Sequence, residues 1–388
     1  MIRRWFPTAV AAVVFLLLMR CVEAGGPAGG AENQHMARAS ALSQAAGSGD
    51  LPGFAAGIRM GGLEAPFAAL WTAGFMGLFS PEVRIARLAS AAAFTLAVLV
   101  LHSLLKRRGG GRGVAGWLLL LAFSSGLATL TARTATPWAV GLLMVVAAMA
   151  AVVEAQAQGG ILRAGAAGLV AGAAALGTGP LWPWMTGAFL LNALWSGVRR
   201  GGEQVFPMGP FVGGLAVLPL WWHLVGGGAA STGIPLTLPG GWPGAAWIPI
   251  MAGWASFSIP SLMLQGLGLA LLARKGTALG VLALCLAVAG SVGWVCTPGR
   301  QPEWLLPGLA AWWVAGAHAL GGAFEKVRRP RERVGLALLA TVAILMTPGR
   351  GVRSLVRLSA GMELPAVVVR DWSNLYGPRV LTGPEEGP

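Results

Sequence analysis

Few residues of this 388-residue chain can do chemistry: 14 carboxylates, four histidines and three cysteines stand in a sequence that is 55% hydrophobic and only 11% charged. The cysteines, Cys21, Cys285 and Cys296, are far apart and two lie in apolar runs, so no disulfide framework or zinc site is read from them. His35, His102, His223 and His318 lack metal-ligand spacing. What remains is acid–base and anion-binding chemistry. A carboxylate or an imidazole near its ordinary pKa can take a proton from a hydroxyl. A guanidinium stays charged and can grip a phosphate through two nitrogens. Glu32 and His35 are three residues apart in a polar, Ala-rich stretch, and Arg133 stands alone between two apolar runs.

The elements that must position these groups are membrane helices. Less than half the usual share of charged residues excludes an ordinary soluble enzyme, and the apolar content excludes disorder. Apolar runs of bilayer length fall at roughly 5–21, 86–105, 114–131, 137–154, 164–179, 184–197, 208–226, 247–272, 277–297, 303–323 and 334–348. The expected fold class is an all-α polytopic membrane protein of about 11 spans. Its first span reads as a signal anchor, because Arg20 stands where a cleavage site wants a small residue.

Charge orients these spans. The net charge is +14, which in a membrane protein reads as positive-inside bias rather than as a nucleic-acid surface. With Arg3 and Arg4 in the cytoplasm, 16 of the 28 basic residues fall on that side, and the short later outer loops hold only Arg133 and Arg300. The N-terminus is then inside and the C-terminus outside. Ten of the 14 acids (Glu23, Glu32, Asp50, Glu64, Glu82, Glu303, Glu363, Asp371, Glu385 and Glu386) and ten of the 17 tryptophans, Trp138 among them, fall at or near the outer face. An aromatic belt with large outer loops gives this pattern; so does an outer cavity whose acids and aromatic platforms suit a sugar or lipid-linked sugar. Residues 1–348 form one transmembrane domain. Its first extracytoplasmic loop, 22–85, carries an interfacial helix over 63–79, and 349–388 is a short outer tail.

Three stretches carry a family resemblance. The first runs from Ser48-Gly49-Asp50 through Glu64-Ala65-Pro66, Trp71 and Leu78-Phe79 to Arg87-Leu88. The second is Ala132-Arg133-Thr134-Ala135-Thr136-Pro137-Trp138, and the third is Thr178-Gly179-Pro180-Leu181. Together they resemble the bacterial protein-mannosyltransferase-like branch of the GT-C glycosyltransferases, which includes the aminoarabinose transferases of lipid A. The resemblance covers residues 1 to about 200. It implies a GT-C-like fold and transfer of a sugar from a polyprenyl-phosphate carrier to a cell-envelope acceptor, a lipid, polysaccharide or protein, at a bacterial inner membrane. Membrane lipids, the lipid-linked donor and that acceptor are the implied partners.

The chain departs from the family at its charged positions. The acidic pair falls on Gln34 and His35, the lysine of Glu-Lys-Pro is Ala65, the aspartate after Thr-Pro is Trp138, and the lysine before Gly-Pro is Thr178. A divalent metal is implied by the resemblance, but its expected ligands are missing. Within this frame Glu32 and His35 are the candidate catalytic bases. Arg133, Glu64, Arg59, Trp138 and Thr178 are the candidate carrier- and phosphate-binding residues, with Arg84 and Arg87 assisting. The losses leave a second function open, a GT-C-fold protein that binds lipid or assembles a glycosylation system without transfer. A transporter is disfavoured, because no internal repeat and no acid deep in a span is found.

Overall fold

The structure, a computed structural model, describes residues 2–23, 30–59, 66–108, 112–199, 206–224, 259–296 and 305–345. Among the described residues there is no strand. Glu64 and the tail 349–388 lie outside them. The helices are α1 (Ile2–Glu23), α2 (Gly30–Ser48), α3 (Leu51–Arg59), α4 (Phe67–Leu78), α5 (Val83–Arg108), α6 (Arg112–Ser124), α7 (Gly126–Ala132), α8 (Trp138–Gln158) and α9 (Ile161–Gly177). A 3-10 turn, Gly179–Leu181, leads into α10 (Trp182–Arg199) and α11 (Met208–Leu224). The last four are α12 (Ile259–Lys275), α13 (Ala278–Cys296), α14 (Leu306–Lys326) and α15 (Pro330–Leu345).

Where the residues are described, the apolar runs of the sequence lie in helices; part of the run at 247–272 lies outside the described residues. Two, α5 with 26 residues and α8 with 21, are long and apolar enough to cross a membrane, and others are shorter apolar helices. The run at 114–131 is broken at Ser125 into α6 and α7. Backbone bonds continue across the break, Ser125 N–H to Ala122 O at 3.3 Å and Thr129 N–H to Ser125 O at 3.0 Å, and hydroxyls add to them: Ser124 Oγ donates to Leu121 O and Thr129 Oγ1 to Ser125 O, each at 3.0 Å.

Close helix packing rests on glycine, as membrane bundles require when the solvent is as apolar as the side chains. On α9, Gly168 and Gly172 lie against the backbone of Phe211 and Leu215 on α11, and Gly214 of α11 lies against Gly165 and Leu169. Gly141 meets Gly177 O, Gly290 meets Gly308, and Gly268 meets Ala315 O in the same manner. The centre is filled by Phe94, Phe123 and Trp313, whose rings meet edge to face.

Helices α2, α3 and α4 build a cap on one end of this bundle. Leu42, Ala39, Ala69, Ala73 and Met76 form its small core, joined by Ala86 of α5 and Ala135 of the turn before α8. Trp71 Nε1 donates to Ala89 O at 2.8 Å, tying α4 to α5. The opposite end is identified by its own contacts. Arg107 and Arg108 of α5 pair with Glu154 of α8 at 3.3 and 2.6 Å. Gln156 of α8 donates to Asn192 of α10 at 2.7 Å, and Gly321 of α14 packs on Val114 of α6.

A Cβ at Gly168 has no room between Phe211 O and Leu215 N, whereas Gly213 has nothing within 4 Å. Gly168→Leu is expected to lower stability by about 1–3 kcal/mol, and Gly213→Ala to leave it near wild type. Thermal unfolding of the purified chain in detergent measures both.

Candidate functional site

The cap is fastened to the bundle by one face of α2. Glu32, His35 and Arg38 recur at helical spacing, and each is buried. Each engages a different element. Glu32 accepts from Arg87 Nε at 3.0 Å and Arg87 Nη2 at 2.9 Å, a two-pronged pair with α5. Its Oε1 also accepts the backbone N–H of Ala135 at 2.7 Å. The two partners are 7% and 6% exposed, so the pair is held away from water. A carboxylate held in this way has its oxygens taken up by a guanidinium and an amide.

His35 Nε2 shares a hydrogen bond with Thr72 Oγ1 of α4 at 3.0 Å. Burial, and then the Arg38 charge, push its pKa down from 6.5 to about 4. The ring is therefore neutral at pH 7. Arg38 donates from Nε to Gly57 O at 3.1 Å and from Nη2 to Ile58 O at 2.6 Å, holding the last carbonyls of α3. Sequence reasoning missed Arg38 and Thr72 and gave Arg87 only a supporting part. The Glu32–His35–Arg38 spacing was the available signal.

The turn Ala132–Trp138 is held from several sides. Thr134 Oγ1 bonds Thr131 O at 3.2 Å and lies 3.3 Å from Thr136 Oγ1, while Ser90 Oγ of α5 reaches Thr136 O at 3.4 Å. Arg133 sits half-buried in this turn. Trp138, the first residue of α8, is buried, and its ring lies 3.5 Å from where a Cβ of Gly179 would be. Gly179 adopts φ +56, a left-handed turn that brings the 3-10 segment under the indole. Thr178 is fully buried; its Oγ1 donates to Ala175 O at 2.6 Å and closes the end of α9. Arg59 is exposed at the end of α3, and Glu64 lies outside the described residues.

A narrow cleft of about 10 Å³ brings the three stretches together. Its walls are Ala68 from the first, Pro137 and Trp138 from the second, and Gly179 from the third, with Gly141 and Met144 of α8. The lining is neutral. No group of three His, Cys, Asp or Glu that could hold a metal ion exists among the described residues. With Glu32 given to Arg87 and His35 to Thr72, the residues present do not fit a divalent ion.

No family model matches the sequence, and no curated protein matches it. Solved structures do. ArnT from Cupriavidus metallidurans in the apo state superposes with a TM-score of 0.60 at 16% identity, over 87% of this chain and 63% of that one. The same protein bound to undecaprenyl phosphate gives 0.57 at 16% identity, over 86% and 63%. The archaeal oligosaccharyltransferase AglB from Archaeoglobus fulgidus, in complex with an inhibitory peptide and a dolichol-phosphate, gives 0.56 at 12% identity, over 100% and 62%. The fold is GT-C-like. At these identities the likeness is one of fold. The chain spans less than two thirds of the length of each of these GT-C structures.

Two outcomes follow for the cap. Arg87→Ala strands a buried carboxylate and is expected to cost about 3–5 kcal/mol, whereas Glu32→Leu with Arg87→Met costs much less than the two single changes added. A double-mutant cycle by denaturation checks this. The second concerns pH. The folded cap keeps His35 neutral while the unfolded chain protonates near 6.5, so stability falls as pH drops from 6.5 and the loss is complete below about 4. His35→Gln, which cannot titrate, should flatten the melting temperature over that window.

Proposed function

We propose that this chain binds a polyprenyl-phosphate carrier at the capped, outer end of a GT-C-like membrane bundle, with the guanidinium of Arg133 at the phosphate and the neutral cleft beside Trp138 against the isoprenoid chain. The observation that carries the proposal is the convergence of the three stretches on one apolar cleft, four residues along the same turn from a half-buried arginine. A cation next to an apolar groove suits a molecule with an anionic head and a hydrocarbon tail. The bound ligand of the ArnT structure is undecaprenyl phosphate, and that of the AglB structure is a dolichol-phosphate; both have this chemistry.

Whether sugar transfer follows turns on the base. A hydroxyl acceptor needs one within hydrogen-bond reach. Glu32 is occupied by Arg87 and Ala135, and His35 is a neutral, depressed imidazole on Thr72. This favours carrier binding, or assembly within an envelope glycosylation system, over efficient transfer to a lipid, polysaccharide or protein acceptor. The transfer reading draws its support from the GT-C-like fold. The capped end then faces the periplasm, with the N-terminus in the cytoplasm of a bacterial inner membrane.

Arg133→Ala is expected to weaken polyprenyl-phosphate binding by about tenfold to a hundredfold, the worth of a charge-assisted hydrogen bond of roughly 1.5–3 kcal/mol. Arg163→Gln, exposed at the far end, should change nothing. Binding is read by equilibrium titration of the purified chain, and turnover of a sugar-loaded carrier in the same preparation. Equal effects of the two substitutions reduce Arg133 to an interface anchor. Robust transfer by the wild-type protein would overturn the preference for binding alone.

A further inference from the structure

Cations at the uncapped end of the bundle divide into two corners. At the α5–α8 corner Arg107 and Arg108 share Glu154, which answers one of their two charges. The α12–α14–α15 corner is different. Arg274 and Lys275 end α12, and Lys326, Arg328 and Arg331 span the junction from α14 to α15; all five are exposed. Among the described residues none of the five has a hydrogen-bond or ion-pair partner. The neighbouring charges reduce this excess little. Arg329 pairs with Glu332 at 3.3 Å, and Arg333 Nε donates to Val327 O at 2.6 Å. Glu325 is the remaining acid there and is exposed beside Lys326.

Two exposed apolar stripes converge on this corner. On α12, Met263, Leu267 and Leu271 follow one another at four-residue spacing and lead to Arg274 and Lys275. On α15, Val334, Leu338 and Val342 have the same spacing and lead away from Arg331. Helices α12 and α15 touch each other, and both touch α14. The two stripes therefore lie on neighbouring helices with their charged ends together. Cations gathered at the ends of two exposed apolar stripes match an amphiphile with an anionic head.

We propose that this corner is a binding site for an anionic glycerophospholipid, its phosphate held among Lys275, Lys326, Arg328 and Arg331 and its acyl chains lying along the α12 and α15 stripes. The site is separate from the carrier cleft and stands whether or not that cleft binds a carrier. Lipid is favoured over a soluble phosphate because the stripes supply a surface for the chains, which a soluble anion leaves uncovered. Clustered basic residues at the end of membrane helices attract anionic headgroups in proportion to their number.

The test uses the full chain in detergent, with native mass spectrometry counting retained lipid and thermal unfolding as the second readout. Phosphatidylglycerol is the probe, phosphatidylcholine the chain-matched control and inorganic pyrophosphate the soluble control. Phosphatidylglycerol should be retained and should raise the melting temperature, and raised salt should release it. The variant Lys275→Gln/Lys326→Gln/Arg328→Gln/Arg331→Gln should lose retention about tenfold or more, while Arg107→Gln should not. Equal stabilisation by phosphatidylcholine, or retention unchanged by both the variant and salt, overturns the site. Stabilisation by pyrophosphate matching that by phosphatidylglycerol would assign the corner to a soluble anion and overturn the lipid. If the variant does not fold, the salt response of the wild-type protein decides alone.

Discussion

The pairing of Glu32 with Arg87 ties the cap to the bundle. It joins residues 55 positions apart in sequence and, through the Ala135 amide, a third segment a further 48 residues on. It supplies directed contacts from α2 to α5 and to the turn before α8. The small apolar core of the cap, built around Leu42 and Met76, could slide without it. With it in place, Trp138, Gly179 and Ala68 are brought around one cleft. Packing alone gives no such register, because apolar contacts lack direction. A two-pronged ion pair with a backbone donor has a single geometry.

The helices were legible in the sequence as apolar runs, and α5 and α8 are long and apolar enough to cross a membrane. The break at Ser125 was not. A serine inside an apolar run changes hydropathy little, yet its hydroxyl neighbours add bonds to the local ladder. The glycines of α9 and α11 were visible only as composition; that they bring backbone against backbone depends on which faces meet. The site was half legible. Three motif stretches pointed to one end of the bundle and do meet there. Which polar groups remain available could not be read, because Glu32 looks like a base until Arg87 is placed beside it. His35 looks ordinary until burial and Arg38 are known.

The same pairing bears on what the capped end can do chemically. Transfer needs a base left free to accept a proton and a counter-charge left free for the departing phosphate. Here one carboxylate and one guanidinium neutralise each other to hold the cap, a histidine is spent on Thr72, and neutral Trp138 and Thr178 line or support the cleft. The walls of the cleft, Ala68, Pro137, Trp138 and Gly179 among them, carry no charge. On the proposed reading, that combination serves recognition of an amphiphile rather than proton transfer.

The most direct measurement is a structure of the full chain with a polyprenyl phosphate bound, determined in a lipid nanodisc. The account requires the phosphate against Arg133, the first isoprene units beside Trp138, and the Glu32–Arg87 pair unbroken. A phosphate held elsewhere, or a Glu32 carboxylate released from Arg87 and turned toward the ligand, would contradict it.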